Sequence, residues 1–174
     1  MDHWCELHQG QPFDRDGAWA ASGTPAVALL ERMLAHTYFK QLPPKSTGRD
    51  LFSADWLAEH LGAMEPWPAA DVQATLAELT ARSCADAVLT HGDDMAELLV
   101  CGGGAFNGHV MRRLQALLPS IKVKPSSERA LPPLQVEAAA FAWLARKAVI
   151  GEPLDLPKTT GARGARVLGA IWPA

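Results

Sequence analysis

The chain has 174 residues, of which 48% are hydrophobic and 20% are charged, and its formal net charge is -3. This balance fits one globular domain or one lobe of a larger enzyme, and it excludes a disordered chain. The small negative charge offers no basic surface for nucleic acid or for an anionic membrane. No apolar run reaches the roughly 18 residues that span a bilayer, and the first residues do not resemble a signal peptide.

The cysteines Cys5, Cys84 and Cys101 are scattered and odd in number. They form no C-x-x-C pair, so their spacing predicts neither a disulfide framework nor a structural zinc site. Cys5 and His8 have a spacing that a metal could use, but the sequence has no second pair. We therefore assign no residue to a metal, and we expect reduced thiols and a cytoplasmic location.

Helical spacing of apolar residues dominates the first half of the chain. The predicted helices cover residues 1–8, residues 26–35, a short segment between Ser53 and Gly62, and residues 71 to about 89. Gly10 ends the first helix, Pro25 opens the second, and Asp71 is the predicted N-terminal cap of the last. The first half is therefore mostly helix and loop.

The second half alternates between strand and helix. An apolar run bounded by glycines predicts a buried parallel strand over residues 97–101. The elements predicted after it are a helix over residues 106–118, a strand over 121–124, a helix from Pro132 or Pro133 to about Ile150, and a last strand or packed turn over 167–172. Parallel strands need a crossover connection, so this order implies a right-handed βαβ unit. The predicted fold class is α/β, with a short, mostly parallel sheet covered by helices.

Three successive glycines, Gly102, Gly103 and Gly104, follow the predicted strand directly. Because glycine costs backbone entropy on folding, such a run indicates a turn with positive φ or a ligand close to the backbone. The next helix would point its free N–H groups and positive dipole end toward that ligand. Asn107 lies in the first turn of this helix, where its amide could cap the helix or contact the ligand. A tight turn without a ligand is the alternative.

Two kinds of nucleotide site fit these glycines. Gly102, Gly104 and Gly108 form a variant of the dinucleotide fingerprint, which expects an acidic residue about 20 positions later for the ribose. The chain has Lys122 and Lys124 there. Lysine could suit a 2′-phosphate, so an NADP-binding, Rossmann-like protein remains open. The other interpretation is the adenosine-binding turn of the actin-like sugar kinases.

Seven segments of the chain together resemble one family of sugar kinases. They cover residues 1–4, 10–23, 43–49, 71–76, 100–107, 137–145 and 160–162, and they read MDHW, GQPFDRDGAWAASG, PPKSTGR, DVQATL, VCGGGAFN, EAAAFAWLA and TGA. In this order and spacing they resemble the C-terminal half of the anhydro-N-acetylmuramic acid kinases, in the actin-like, hexokinase-like superfamily. The resemblance covers almost the whole chain.

The resemblance implies that residues 1–174 form one nucleotide-binding lobe, the C-terminal lobe of an actin-like ATPase (ribonuclease H-like) kinase fold. The implied reaction uses ATP and Mg²⁺ to phosphorylate 1,6-anhydro-N-acetylmuramic acid, with opening of the anhydro ring by water, in cell-wall recycling. The implied assembly is a cytoplasmic homodimer. In the family the catalytic base is an aspartate in an Asp-Thr-Gly-Pro-Gly-Asn segment, which is expected upstream of Met1. The N-terminal lobe and this base segment are therefore expected to be missing, and the chain alone to be inactive.

The same resemblance assigns the site residues. Gly102, Gly103, Gly104 and Asn107 are expected to bind the nucleotide, Glu137 is expected to contact the sugar, and no residue of the chain is expected to be catalytic. Glu137 has a simpler alternative role, because a negative charge in the first turn of a helix favours the helix dipole. For the whole chain, the alternative is a non-catalytic nucleotide-binding or interaction module.

A second segment mimics a nucleotide motif. Lys45, Ser46 and Thr47 read like the end of a phosphate-binding loop, but the glycines that should precede them are absent. Without those glycines the backbone cannot wrap around a phosphate. We therefore predict a structural loop here.

Overall fold

The computed structural model describes residues 1–48, 50–62, 67–92 and 94–172. Its strands are β1 (Glu97–Val100) and β2 (Lys122–Pro125), and its α-helices are α1 (Asp2–Gln9), α2 (Ala18–Ser22), α3 (Val27–Leu34), α4 (Thr37–Lys40), α5 (Ala54–Leu61), α6 (Ala69–His91), α7 (Gly108–Leu117), α8 (Val136–Val149) and α9 (Pro157–Thr160). The main helices predicted from the sequence are confirmed, with ends shifted by a few residues. Among the residues described, no helix is both long and apolar enough to cross a membrane.

Helix α6 lies at the centre of the fold. Eight successive residues of this helix, 72–79, are buried. Helices α2, α3 and α7 pack against it, and α1 touches it as well. A helix that is buried all round needs neighbours on every side, so the first half of the chain folds as a helical layer around α6.

Polar side chains of α6 hold the loop that precedes α3. The Asp71 carboxylate accepts a hydrogen bond from the Thr24 N–H at 2.8 Å, and the Thr75 hydroxyl accepts one from the Ala26 N–H at 2.9 Å. The prediction that Asp71 caps α6 is therefore wrong. The helix begins two residues earlier, at Ala69 after Pro68, and the carboxylate instead bonds a segment 47 residues away.

The sheet consists of β1 and β2, which pair in parallel with Glu97 opposite Lys122. Helix α7 forms the crossover between them, and Val110 and Leu114 pack toward the sheet and α6. The predicted βαβ unit is confirmed. Helix α7 starts at Gly108 rather than at Phe106, which belongs to a 3-10 turn over Gly103–Phe106.

Two expectations about the sheet are wrong. No residue of β1 is buried, and Leu99 is 39% exposed. Side chains alternate between the two faces of a strand, and the described helices cover only the face opposite Leu99. The last strand or packed turn predicted over residues 167–172 does not form either, since Val167 and Ile171 are exposed. Gly169 lies in that segment with φ of 95°, which interrupts an extended backbone. Arg166, just before the segment, forms an isolated antiparallel bridge with Leu154.

Glu78 is a buried carboxylate on α6 that ties this helix to α7. Its side chain is 3% exposed, and its two oxygens accept hydrogen bonds from Arg113 on α7 at 2.7 and 3.0 Å. Arg82, one turn along α6, donates a further bond at 2.8 Å. These bonds, from Arg113 above all, hold the pKa of Glu78 below its ordinary value. The ionised carboxylate of Glu78 therefore holds α6 and α7 together.

Replacing Glu78 by glutamine should lower the free energy of unfolding by about 1–3 kcal/mol, because Arg113 and Arg82 lose a charged acceptor inside the fold. Urea denaturation followed by circular dichroism measures this loss. The folded state lowers the pKa of Glu78, so its stabilisation should be complete above the unfolded glutamate pKa of about 4.3. The difference between the two proteins should then disappear as the pH falls through the lower pKa of the folded state.

Glu128→Gln is the matched control. Glu128 is 55% exposed and lies 4.0 Å from the Lys124 ammonium group, so its replacement should change stability by less than about 0.5 kcal/mol. Equal destabilisation by the two substitutions would contradict the role given to Glu78.

Candidate functional site

The three glycines that follow β1 form an open turn, called here the glycine turn (Gly102, Gly103 and Gly104). Gly102 has φ of 71°, which favours glycine, and the next two residues enter the 3-10 turn. A Cβ atom built on any of the three would have no atom within 4 Å. The turn lies at the carboxyl end of β1, where α/β sheets bind their ligands. Its backbone is therefore open to an approaching ligand.

The glycine turn is held against the segment that leads into α8. The Gly102 N–H donates a hydrogen bond to the Pro133 carbonyl at 3.0 Å. Pro133 opens the 3-10 turn Pro133–Gln135, and Glu137 follows as the second residue of α8, with an exposed side chain. The structure thus links the predicted nucleotide turn to the segment that carries the predicted sugar-binding residue.

Asn107 is the N-cap of α7. Its side-chain oxygen accepts a hydrogen bond from the Val110 N–H at 3.0 Å, and its side chain is buried. The helix-capping role, one of the two expected from the sequence, is confirmed. Contact between Asn107 and a nucleotide stays a prediction.

A loop 92 residues earlier in the chain interlocks with this helix start. Asp16, with φ of 56°, accepts a hydrogen bond from the Gly108 N–H at 2.9 Å. A Cβ on Gly17 would lie 2.2 Å from the Asn107 side-chain oxygen, and a Cβ on Gly108 would lie 2.3 Å from the Asp16 carboxylate. Two glycines are therefore required for the loop and the helix to meet. Our sequence reasoning missed this contact, although an Asp-Gly pair is a recognisable turn signal.

The positive end of α7 is already used by the protein's own side chains. The carboxylate of Asp16 takes the N–H of Gly108, and Asn107 takes the N–H of Val110. Burial, and next the charge of Arg112, lower the pKa of His109 below its ordinary value. The Arg112 guanidinium also lies at this helix end, 3.0 Å from the Cβ position of Gly108, so occupation of the N–H groups, and not net charge, limits the access of a phosphate. This arrangement argues against the pyrophosphate position that the dinucleotide fingerprint requires.

Of the two lysines proposed for a 2′-phosphate, Lys122 is exposed and Lys124 is engaged in ion pairs. Lys124 pairs with Glu97 across the sheet at 3.1 Å, and Arg129 pairs with the same carboxylate at 2.8 Å. The bond from Lys124, followed by that from Arg129, lowers the pKa of Glu97. Recruiting Lys124 to a ligand would break this network.

The Lys45 segment forms a loop secured by its own lysine. The Lys45 ammonium group donates to the carbonyls of Tyr38 and Phe39 at 3.2 and 3.3 Å, and it lies 4.9 Å from the centre of the Tyr38 ring. These contacts match the predicted structural loop. Arg49, at the end of the segment, lies outside the described residues. Over the described part of the chain, no group of three or more His, Cys, Asp or Glu side chains is arranged to hold a metal ion.

Comparison with known proteins gives the family. The family model for anhydro-N-acetylmuramic acid kinase matches residues 1–174. The chain belongs to this family. A relative from Albidiferax ferrireducens is 58% identical over 174 residues, covering 100% of this chain and 45% of the relative. Relatives from Variovorax paradoxus and Ralstonia nicotianae are 58% and 51% identical, with all of this chain and 46% of each relative covered.

The resemblance found from the sequence segments is therefore confirmed at the level of the anhydro-N-acetylmuramic acid kinase family. The three relatives are each named as that kinase. The chain spans about half the length of the curated relatives it matches. Several family segments also have a visible structural purpose. The segment over residues 71–76 bonds the loop before α3, and the segment over 10–23 carries the loop that interlocks with α7.

Alanine substitutions should distinguish a glycine that is tightly packed, Gly17, from one whose added Cβ would be exposed, Gly103. Gly17→Ala should lower the free energy of unfolding by about 2 kcal/mol or more, because the new Cβ enters a filled space at positive φ. Gly103→Ala should change stability by less than about 1 kcal/mol, since its Cβ points into open space. Urea denaturation of both variants measures the difference. Similar losses in both would contradict the interlock described for Gly17.

Proposed function

We propose that this chain is the nucleotide-binding lobe of an ATP-dependent kinase that phosphorylates 1,6-anhydro-N-acetylmuramic acid, with the lobe architecture of the actin-like kinases. Membership of the anhydro-N-acetylmuramic acid kinase family supports the reaction class and the sugar. The observation that carries the nucleotide part is the open glycine turn at the end of β1, where no atom lies within 4 Å of a Cβ position. A parallel strand followed by a crossover helix supports the α/β lobe.

In this proposal the adenosine lies along Gly102, Gly103 and Gly104, whose bare backbone lets the base and ribose approach closely. The phosphates point away from the first turn of α7. The support for this direction is that the N–H groups of Gly108 and Val110 in that turn already bond to Asp16 and Asn107. Asn107 contributes by fixing the start of α7, and with it the far end of the glycine turn.

Glu137 is proposed to bind the sugar. Its carboxylate is exposed in the first turn of α8, where hydroxyl groups of a sugar could donate to it. The hydrogen bond from Gly102 to Pro133 supports a common site, since it joins the nucleotide turn to the segment before Glu137. The proposal gives no residue of this chain to the catalytic base, to the phosphate-binding loop or to Mg²⁺. These parts, together with the family's cytoplasmic homodimer, are assigned to the whole kinase.

The nucleotide site can be tested on the chain itself by calorimetric titration with ATP. Gly103→Val should weaken ATP binding by about tenfold or more, because the added methyl groups occupy the space of the nucleotide. Its unfolding midpoint should stay close to that of the parent chain. Ala116→Val, on an exposed part of α7, adds two methyl groups away from the turn and should leave binding unchanged.

Titration with NADPH gives the competing outcome. Tighter binding of NADPH than of ATP would overturn the kinase assignment of the glycine turn in favour of a dinucleotide site. Absence of any ATP binding would overturn the proposal that this lobe forms the adenosine site by itself.

The chain alone should not turn over substrate, since the proposal places the base and the phosphate loop outside it. A coupled assay for ADP with ATP, Mg²⁺ and 1,6-anhydro-N-acetylmuramic acid should stay at background. The Albidiferax ferrireducens relative serves as the positive control under the same conditions. Turnover by the 174-residue chain above background would contradict the proposal that the catalytic base and the phosphate-binding loop lie outside it.

A further inference from the structure

Helix α8 is an apolar helix that the described fold does not bury. Only three of its 14 residues are charged, and none of the 14 is buried. Phe141 is 64% exposed, Trp143 is 47% exposed and Val149 is 72% exposed. Helix α8 packs against the turn Pro133–Gln135, directly before it in the chain, and Ala148 near its end lies beside Gly169.

Such a helix needs a packing surface. Isolated helices of this length are marginal in water, and a helix that is apolar all round is normally buried. The exposed side chains also point in different directions. Phe141 and Trp143 are two residues apart and therefore project about 200° apart around the helix axis. A body that covers only one stripe of α8 would leave one of these two side chains in water.

We propose that α8 is the docking surface for the part of the family polypeptide that lies outside these 174 residues, and that this part packs around α8 on more than one side. The length of the relatives supports this occupant, because the chain covers only 45% of the Albidiferax protein and 46% of the Variovorax protein. The half-covered sheet supports it as well, since parallel sheets are normally covered on both faces and Leu99 is 39% exposed.

Two other occupants fit the helix less well. A second copy of the chain, related by a two-fold axis, would place one α8 against another and cover a single stripe of each. A membrane surface favours a helix with a cationic polar face. The basic residues Arg146 and Lys147 of α8 lie together near its end, and Lys147 is already paired with Glu152 and stacked over Trp143. The inference rests on family membership and burial, and it does not depend on nucleotide binding or turnover.

Co-expression tests the proposal. The 174-residue chain carries an affinity tag. The part of the Albidiferax relative that lies outside the matched 45% is produced without a tag in the same cells. We expect the two polypeptides to co-purify as a one-to-one complex by light scattering. Phe141→Glu combined with Val149→Glu should abolish this complex. Leu42→Glu is the matched control, because Leu42 is 80% exposed in a loop outside α8, and it should leave the complex intact.

The folding of each variant is checked on the tagged chain alone. Since Phe141 and Val149 are exposed, the double variant should melt at the temperature of the parent chain. A complex that survives the double substitution would overturn the proposal. So would a chain that forms homodimers which the double substitution dissociates.

A chimeric protein, called here the joined protein, provides the test if the untagged part of the relative does not fold by itself. The chain replaces its matched region in the Albidiferax relative, and hydrogen exchange is followed in α8. We expect its amides to exchange at least about tenfold more slowly in the joined protein than in the 174-residue chain. Equal exchange rates would overturn the proposal. Because neither readout uses a nucleotide or the sugar, failure here is distinguishable from failure of the kinase proposal.

Discussion

The rest of the structure depends on the burial of residues 72–79 of α6 on all sides. A polar group inside a fold must find a partner, or its desolvation goes uncompensated. The polar side chains of α6 bond other segments of the chain, although the Gln73 Oε1 atom is buried without a hydrogen-bond partner. Gln73 donates to Asp14 at 3.3 Å, Thr75 accepts from the loop before α3, and Glu78 pairs with α7. Each buried polar residue thus fixes one neighbouring segment in place.

This arrangement extends to the candidate site through Asp14. Its carboxylate accepts the N–H groups of Trp19 and Ala20 at 2.9 and 2.8 Å, and so caps α2 while Gln73 holds it from α6. The same loop then presents Asp16 and Gly17 to the start of α7. The N–H groups of Gly108 and Val110 at the start of α7 are therefore bonded within the protein. What remains open beside it is an uncharged glycine turn, which suits a nucleoside better than a phosphate.

Local patterns explain what could be predicted from the sequence. Apolar spacing located the main helices, and three glycines after an apolar run located the βαβ crossover and its open turn. The predictions that failed concern residues whose role is set by a contact with a residue far away in the sequence. Asp71 reads as a helix cap but bonds Thr24, and the fit of Gly17 against Asn107 joins residues that share no local pattern. The exposure of β1 was missed for a related reason, because four apolar-rich residues do not reveal which face is covered. The order of the family segments identified the family, since their joint spacing carries more information than any one of them.

The exposed glycine turn and the exposed helix α8 are connected through the chain segment between them. The glycine turn and the turn before α8 share the hydrogen bond from Gly102 to the Pro133 carbonyl. A body that packs around α8 would therefore also restrict the position of Gly102, and through it the backbone on which the adenosine is proposed to lie. The interlock of Asp16 with Gly108 holds the other end of the same turn. The glycine turn is thus held from the Asp16 loop on one side and from the segment before α8 on the other, so packing against α8 would complete the support of the proposed nucleotide site.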